Sequence, residues 1–308
     1  MRICTTLAVL SLAFGSSAWA AETWQQDIAS GLGKPGTEMP GGIYRVGLPR
    51  TDLKVTLDGV EIKPALALGS WLAFRSMGNE VMVMGDLVLT ADEVNPVLKR
   101  LEDGGVEITA LHNHLLRASP STMYMHVYGH GIPSKLATTL REALGASKTP
   151  FGAETAGIPA DAATQAATTG STDQRLDLDT AALDQALGRK GKVNGGVYQV
   201  SVSRAEIPKD AGMEVPEAMG SAIVINFQPT GMGKAAITGD FVLTAEEVNP
   251  VVRALRSNGI EVTALHNHML NDDPRLFFMH FWANDDAGKL ARGLKEALES
   301  VKIAAQGR

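Results

Sequence analysis

The sequence holds seven histidines, and all of them fall in two stretches: His112, His114, His126 and His130 in the first half, His266, His268 and His280 in the second. On a β-strand, residues two apart share a face, so His112 and His114 project together, as do His266 and His268. A turn containing Pro120 leads into the next apolar run. A hairpin folded symmetrically about Pro120 sets His126 opposite His114, with Cβ atoms about 5 Å apart. Pro274 lies midway between His268 and His280 and repeats the arrangement. Three imidazoles then converge in each half, leaving room for a fourth ligand, which is what a zinc ion asks for. The expectation is a three-histidine metal site in each half, made by His112, His114 and His126 and by His266, His268 and His280.

Other residues could complete or use such a site. Asp86 and Asp240 each follow a glycine inside an apolar run, where an acid is costly unless it is bonded or ligating, although a bulge or strand end explains an aspartate equally well. Glu93 and Glu247 are candidate general bases, and a helix-capping role accounts for them as well. These four are the catalytic candidates. His130 is a further ligand candidate in the first half alone, its counterpart being Asn284. Glu107 and Glu261 point away from the histidines and read as solvated. Tyr124, Tyr128, Phe278 and Trp282 share the histidine face and would keep it dry. Met123, Met125 and Met279 carry thioethers that suit copper, but Met125 and Met279 alternate away from that face and read as core.

What positions these residues is a repeated unit. A shift of 154 positions superimposes residues 85–116 on 239–270, with 21 of 32 identical. The match extends outward to Gly41, Gly42 and Tyr44 against Gly195, Gly196 and Tyr198, and to 136–146 against 290–300. Each copy has the size of one domain. Within a copy, residues 43–48, 71–74 and 80–89 read as strands. A helix follows over 90–103, starting either at Thr90 through a capping box with Glu93 or at Asn95 ahead of Pro96. Proline favours the second start, since it breaks a hydrogen bond deeper in a helix. Residues 106–116 and 122–128 then read as strands and 135–144 as a closing helix. The fold class expected is α+β, as two tandem homologous domains that could pair across a pseudo-twofold axis. The boundaries are 1–20 for a signal peptide, 21–147 for the first repeat, 148–175 for a flexible linker rich in Ala, Thr and Gly, and 176–308 for the second repeat.

Composition bounds the rest. Arg2, the apolar stretch 7–14 and the small-x-small pattern Ala18-Trp19-Ala20 read as a secretory leader cleaved after Ala20, so a periplasmic or secreted location is expected. The single cysteine, Cys4, lies in that leader. Any metal site must therefore use His, Asp, Glu or Met, and zinc is the first expectation with copper the second. A net charge of −6 argues against nucleic acid as a partner, and no apolar run is long enough to span a membrane. A metal ion, with or without a small-molecule substrate, fits better.

The segment "GDFVLTAEEVNPVVRALRSNGIEVTALHNHML" followed by "RLFFMHFW", with its counterpart in the first half, resembles the exported LppY/LpqO family. That resemblance implies export and a domain without an assigned activity. The His-x-His pair with a third histidine a dozen residues on is also similar, on spacing, to acetolactate decarboxylases and plant-and-prokaryote-conserved domains, where such residues hold zinc. Three functions therefore compete: an exported metal-binding protein, a zinc-dependent hydrolase or lyase, and a structural or protein-interaction module with inert histidines.

Overall fold

The computed structural model describes residues 23–151 and 176–305. The leader with Cys4 and most of the expected linker lie outside the described residues. Each repeat builds one six-stranded antiparallel sheet. In the first, β1 (Thr37–Met39), β2 (Ile43–Pro49), β3 (Gly69–Met77), β4 (Glu80–Thr90), β5 (Glu107–His112) and β6 (Thr122–Gly131) lie in the order 1-2-3-4-6-5. In the second, β7 (Lys192–Asn194), β8 (Val197–Val202), β9 (Ile223–Gly231), β10 (Lys234–Leu243), β11 (Glu261–His266) and β12 (Phe277–Asp286) lie in the same relative order. Besides the short helical turns Pro64–Ala67 and Glu217–Met219, the helices among the described residues are α1 (Thr23–Leu32), α2 (Ala91–Asp103), α3 (Pro133–Leu144), α4 (Thr180–Leu187), α5 (Ala245–Ser257) and α6 (Ala287–Leu298). The α+β expectation holds. No described helix is long and apolar enough to cross a membrane.

The central strand β4 is buried on both faces, and its alternation shows why. Val81, Val83, Leu87 and Leu89 pack with Val97, Leu101, Leu136 and Leu140 of the helices. The even-numbered positions turn the other way: Met82 and Met84 join the core of the second repeat, and Val88 packs with Tyr124, Ala236 and Trp282. The two sheets therefore meet through their even-numbered faces, with helices on the outside. Burial of two apolar faces, rather than one, is what fuses the repeats into a single body. Hydrogen bonds reinforce the junction, as Gln228 Nε2 donates to the Glu61 carbonyl and Asn226 Nδ2 to that of Leu66. At the rim, Arg117 pairs with both Asp58 and Glu261. Glu261 is thus an inter-repeat ion-pair partner rather than a free solvated group.

Two local expectations are corrected. The helix α2 starts at Thr90 by a complete capping box with Glu93, and Pro96 lies inside it. The Glu93 carboxylate also accepts from Arg50 and from the Lys148 amide, so tertiary bonds fix this start. Pro96 sits on the exposed face, where water can satisfy the carbonyl it leaves free. The second correction concerns register. His126 pairs with Ala110 on one side and Asp86 on the other, and His112 pairs with Tyr124. The hairpin is not symmetric about Pro120: β5 ends at His112, and Ser119 is tied by two backbone bonds to Thr56. The connection is pinned to a neighbouring hairpin (Val55–Leu57 with Val60–Ile62) instead of closing on itself.

Candidate metal centre

The even-numbered face that carries His126 also carries Asp86 beside it and Tyr124, and the same holds for His280, Asp240 and Phe278. When the two faces meet, the histidines of both repeats are brought together. His112 stacks on His266 with ring centroids 3.4 Å apart, His114 on His280 at 3.6 Å and His126 on His268 at 3.6 Å. The 154-residue shift turns the second of these pairs into the third, so the pseudo-twofold axis passes between His112 and His266. Within a repeat, His112 lies 5.0 Å from both His114 and His126. Tyr124 covers His114 at 3.4 Å and Phe278 covers His268 at 3.5 Å, the dry surround expected of that face.

The structure adds groups that cross between the repeats to the sets expected within each of them. Ligand atoms close enough to share one ion belong to His112, His114, His266 and His280 together, and to His112, His126 and His268. Neither set comes from one repeat, because the sheets pack histidine face to histidine face. Asp86 joins His114 and His126, and Asp240 joins His268 and His280, so both aspartates are drawn into the cluster. His130 is exposed and lies four residues along the strand from His126, outside these groups. Glu93 and Glu247 also lie outside them. Glu93 accepts from Arg50, Thr90 and Lys148, and Glu247 from Arg204, Thr244 and Lys302. Both acids are spent on the frame. Met125 and Met279 are fully buried in the cores, as expected.

The electrostatics favour neutral imidazoles. Burial lowers His112 to about 3, with His266 beside it adding to the effect, and burial lowers His266 to about 4. Burial and mutual repulsion hold His114, His126, His268 and His280 well below the ordinary range. Burial raises Asp86 to about 7, offset in part by Arg45, and burial, with Asp86 nearby, holds Asp240 well above the ordinary carboxylate range. The tautomers are fixed where carbonyls face Nδ1: the Gly239 oxygen lies 2.8 Å from His280 Nδ1, and the Asn267 oxygen 3.1 Å from His266 Nδ1. A carbonyl only accepts, so Nδ1 carries the proton and Nε2 presents its lone pair. The Nε2 atoms of all six histidines, with one oxygen of each aspartate, are buried without a hydrogen-bond partner.

The Gly-Asp pair that precedes each site has a steric cause. A Cβ on Gly239 would lie 2.0 Å from the Val224 carbonyl oxygen, so only glycine lets β9 approach. Gly239→Ala is expected to cost about 1–3 kcal/mol from overpacking. Because the Gly239 carbonyl orients His280 and Asp240 is next in line, metal uptake should fall more than thermal stability does. Parallel measurements of melting temperature and metal content check this.

A family profile, described as a domain of unknown function (DUF1259), matches residues 26–146 and 181–300. The chain belongs to this DUF1259 family, in two tandem copies. The matched segments carry all six clustered histidines, so the metal-capable cluster of this chain is assembled from both copies of the DUF1259 domain. No curated protein matches the chain. Among solved structures, it is similar to the trimeric bacterial microcompartment shell protein PduB, with 13% identity, 86% of this chain and 89% of that chain covered, and a TM-score of 0.21. It is also similar to EtuB from Clostridium kluyveri, with 9% identity, the same coverage and a TM-score of 0.20. Likenesses this slight bear on neither the fold nor the role of the DUF1259 pair.

Sequence reasoning found the six histidines and both aspartates but missed Arg45, Trp71 and the buried arginines Arg50 and Arg204. The last two stand 154 residues apart, each with a partner acid two residues on, a signal present in the repeat.

Proposed function

We propose that the six histidines and two aspartates form one transition-metal centre, shared by both repeats of an exported protein. One observation carries the reading: eight buried ligand atoms without partners converge on one place. A buried unpaired polar atom costs free energy, roughly 1–3 kcal/mol each, and a bound cation would satisfy each group of three or four that lies within its reach. Imidazole nitrogen with carboxylate oxygen suits zinc first and copper second. Export rests on the leader at residues 1–20, in keeping with the LppY/LpqO resemblance. A hydrolase or lyase reading would have to take its base from Asp86 or Asp240, since Glu93 and Glu247 are bonded elsewhere.

Elemental analysis of the purified chain tests the proposal. At least one equivalent of zinc or copper per chain is expected. No metal after incubation with either ion at neutral pH would overturn it and favour a structural pair of domains.

A further inference from the structure

The two sides of the cluster are not equivalent. On one side, His126 and His268 line a narrow pocket with Trp71, Met84, Met219 and Phe278, whose free volume of about 10 Å³ admits one molecule the size of water. Both Nε2 atoms are unpartnered, and the side chains are 5% and 11% exposed. Trp71 and Gly220, both half-buried, form its rim. A Cβ on Gly220 would lie 3.1 Å from the indole, at a φ of +99° that suits glycine, so the rim closes around this aromatic wall. Behind the indole sits Arg45, its guanidinium 4.1 Å from the ring centroid and one Nη donating to the Ala218 carbonyl.

The other side differs at each of these points. The register that pairs Trp71 with Asp86 pairs Val224 with Asp240, and the 154-residue shift puts Gln199 in place of Arg45. Leu66, Leu68, Leu115 and Tyr124 there are at most 2% exposed and pack as one apolar cluster. One face of the centre is plugged, and the other is narrow, apolar-walled and backed by a cation.

We infer that the metal centre keeps one exchangeable position, on the His126–His268 side, and that it takes a small anion drawn there by Arg45. The inference rests on the metal reading above. A cation behind an aromatic wall biases a low-dielectric pocket toward negative charge, while the volume limits the anion to a few atoms.

The test uses the full chain loaded with Co²⁺, whose visible spectrum reports coordination, titrated with azide. A saturable spectral change with one azide per chain is expected. Arg45→Gln, which installs the residue of the other repeat, should weaken azide about tenfold at equal cobalt content. Trp71→Val keeps the charge and widens the rim, so benzoate should change the spectrum of this variant and not of the wild type. Cobalt bound without any response to azide would overturn the exchangeable position. An azide response unaltered by Arg45→Gln, with benzoate excluded from Trp71→Val, would overturn the pocket. Failure to bind cobalt at all would instead overturn the metal reading beneath it.

Discussion

Replacing His266, His268 and His280 together with glutamine should empty the whole chain of metal, not half of it. The first repeat keeps His112, His114 and His126 in that variant, and two independent sites would leave it loaded. In the structure, however, the set His112, His114, His266 and His280 is reduced to two members, and the set His112, His126 and His268 also to two, while the one set left whole, Asp86 with His114 and His126, depends on a carboxyl that burial pushes up to about 7. A four-ligand zinc site is worth roughly 10–16 kcal/mol, so each ligand supplies roughly 2.5–4 kcal/mol. Losing two lowers affinity by roughly a thousandfold to a millionfold. The fold should survive, because among these side chains only His280 and His266 give up bonds, to the Gly239 and Asn267 carbonyls, and a glutamine amide can donate in their place. Metal content by elemental analysis, beside a circular dichroism spectrum, decides the matter. Retention of half the wild-type metal would show two separate centres.

The sharing itself was hard to read from the sequence, for a physical reason. Periodicity places His112 and His114 on one face and fixes that face within a repeat, but it says nothing of what the face meets. Strand β4 carries the missing hint. A half-buried strand alternates apolar and polar residues, whereas residues 81–89 are apolar on both faces except at Asp86, which marks a strand covered twice. The α+β order, the duplication and the eight cluster residues were legible because each depends on local spacing. The hairpin register was not, since Ser119 bonds to Thr56, more than sixty residues away in the chain. Nor was the start of α2, where Pro96 and the Thr90 capping box conflict locally and Arg50, from another part of the chain, decides between them.

That contact and its counterpart in the second repeat set the largest expected losses of stability. Arg50 is fully buried, and its guanidinium is held by Glu93, Asp52 and the Val88 carbonyl. Glu93→Ala removes one of the two carboxylates from a buried cation and also strands the Thr90 and Lys148 amides. A loss of about 3–5 kcal/mol is expected, a large share of the stability of an ordinary domain. Glu247→Ala should cost more than Glu93→Ala, because the remaining partner of Arg204, Glu206, is 37% exposed where Asp52 is 22% exposed. Urea denaturation of the two variants gives the order. The pH dependence follows from the sign of the shift. Burial pushes Glu93 up, but the bonds from Arg50, Thr90 and Lys148 outweigh it, and the carboxyl is held below its ordinary 4.5. A depressed folded value means that the unfolded chain binds the proton first as pH falls. The stability owed to the charge is therefore fully present above about 4.5 and is lost as pH drops through the depressed folded value. Glu93→Gln keeps the shape without that titration. The gap in urea midpoint between wild type and Glu93→Gln should be constant from pH 7 to about 5 and close below it, whereas a gap unchanged down to pH 3 would mean that the Glu93 charge contributes nothing.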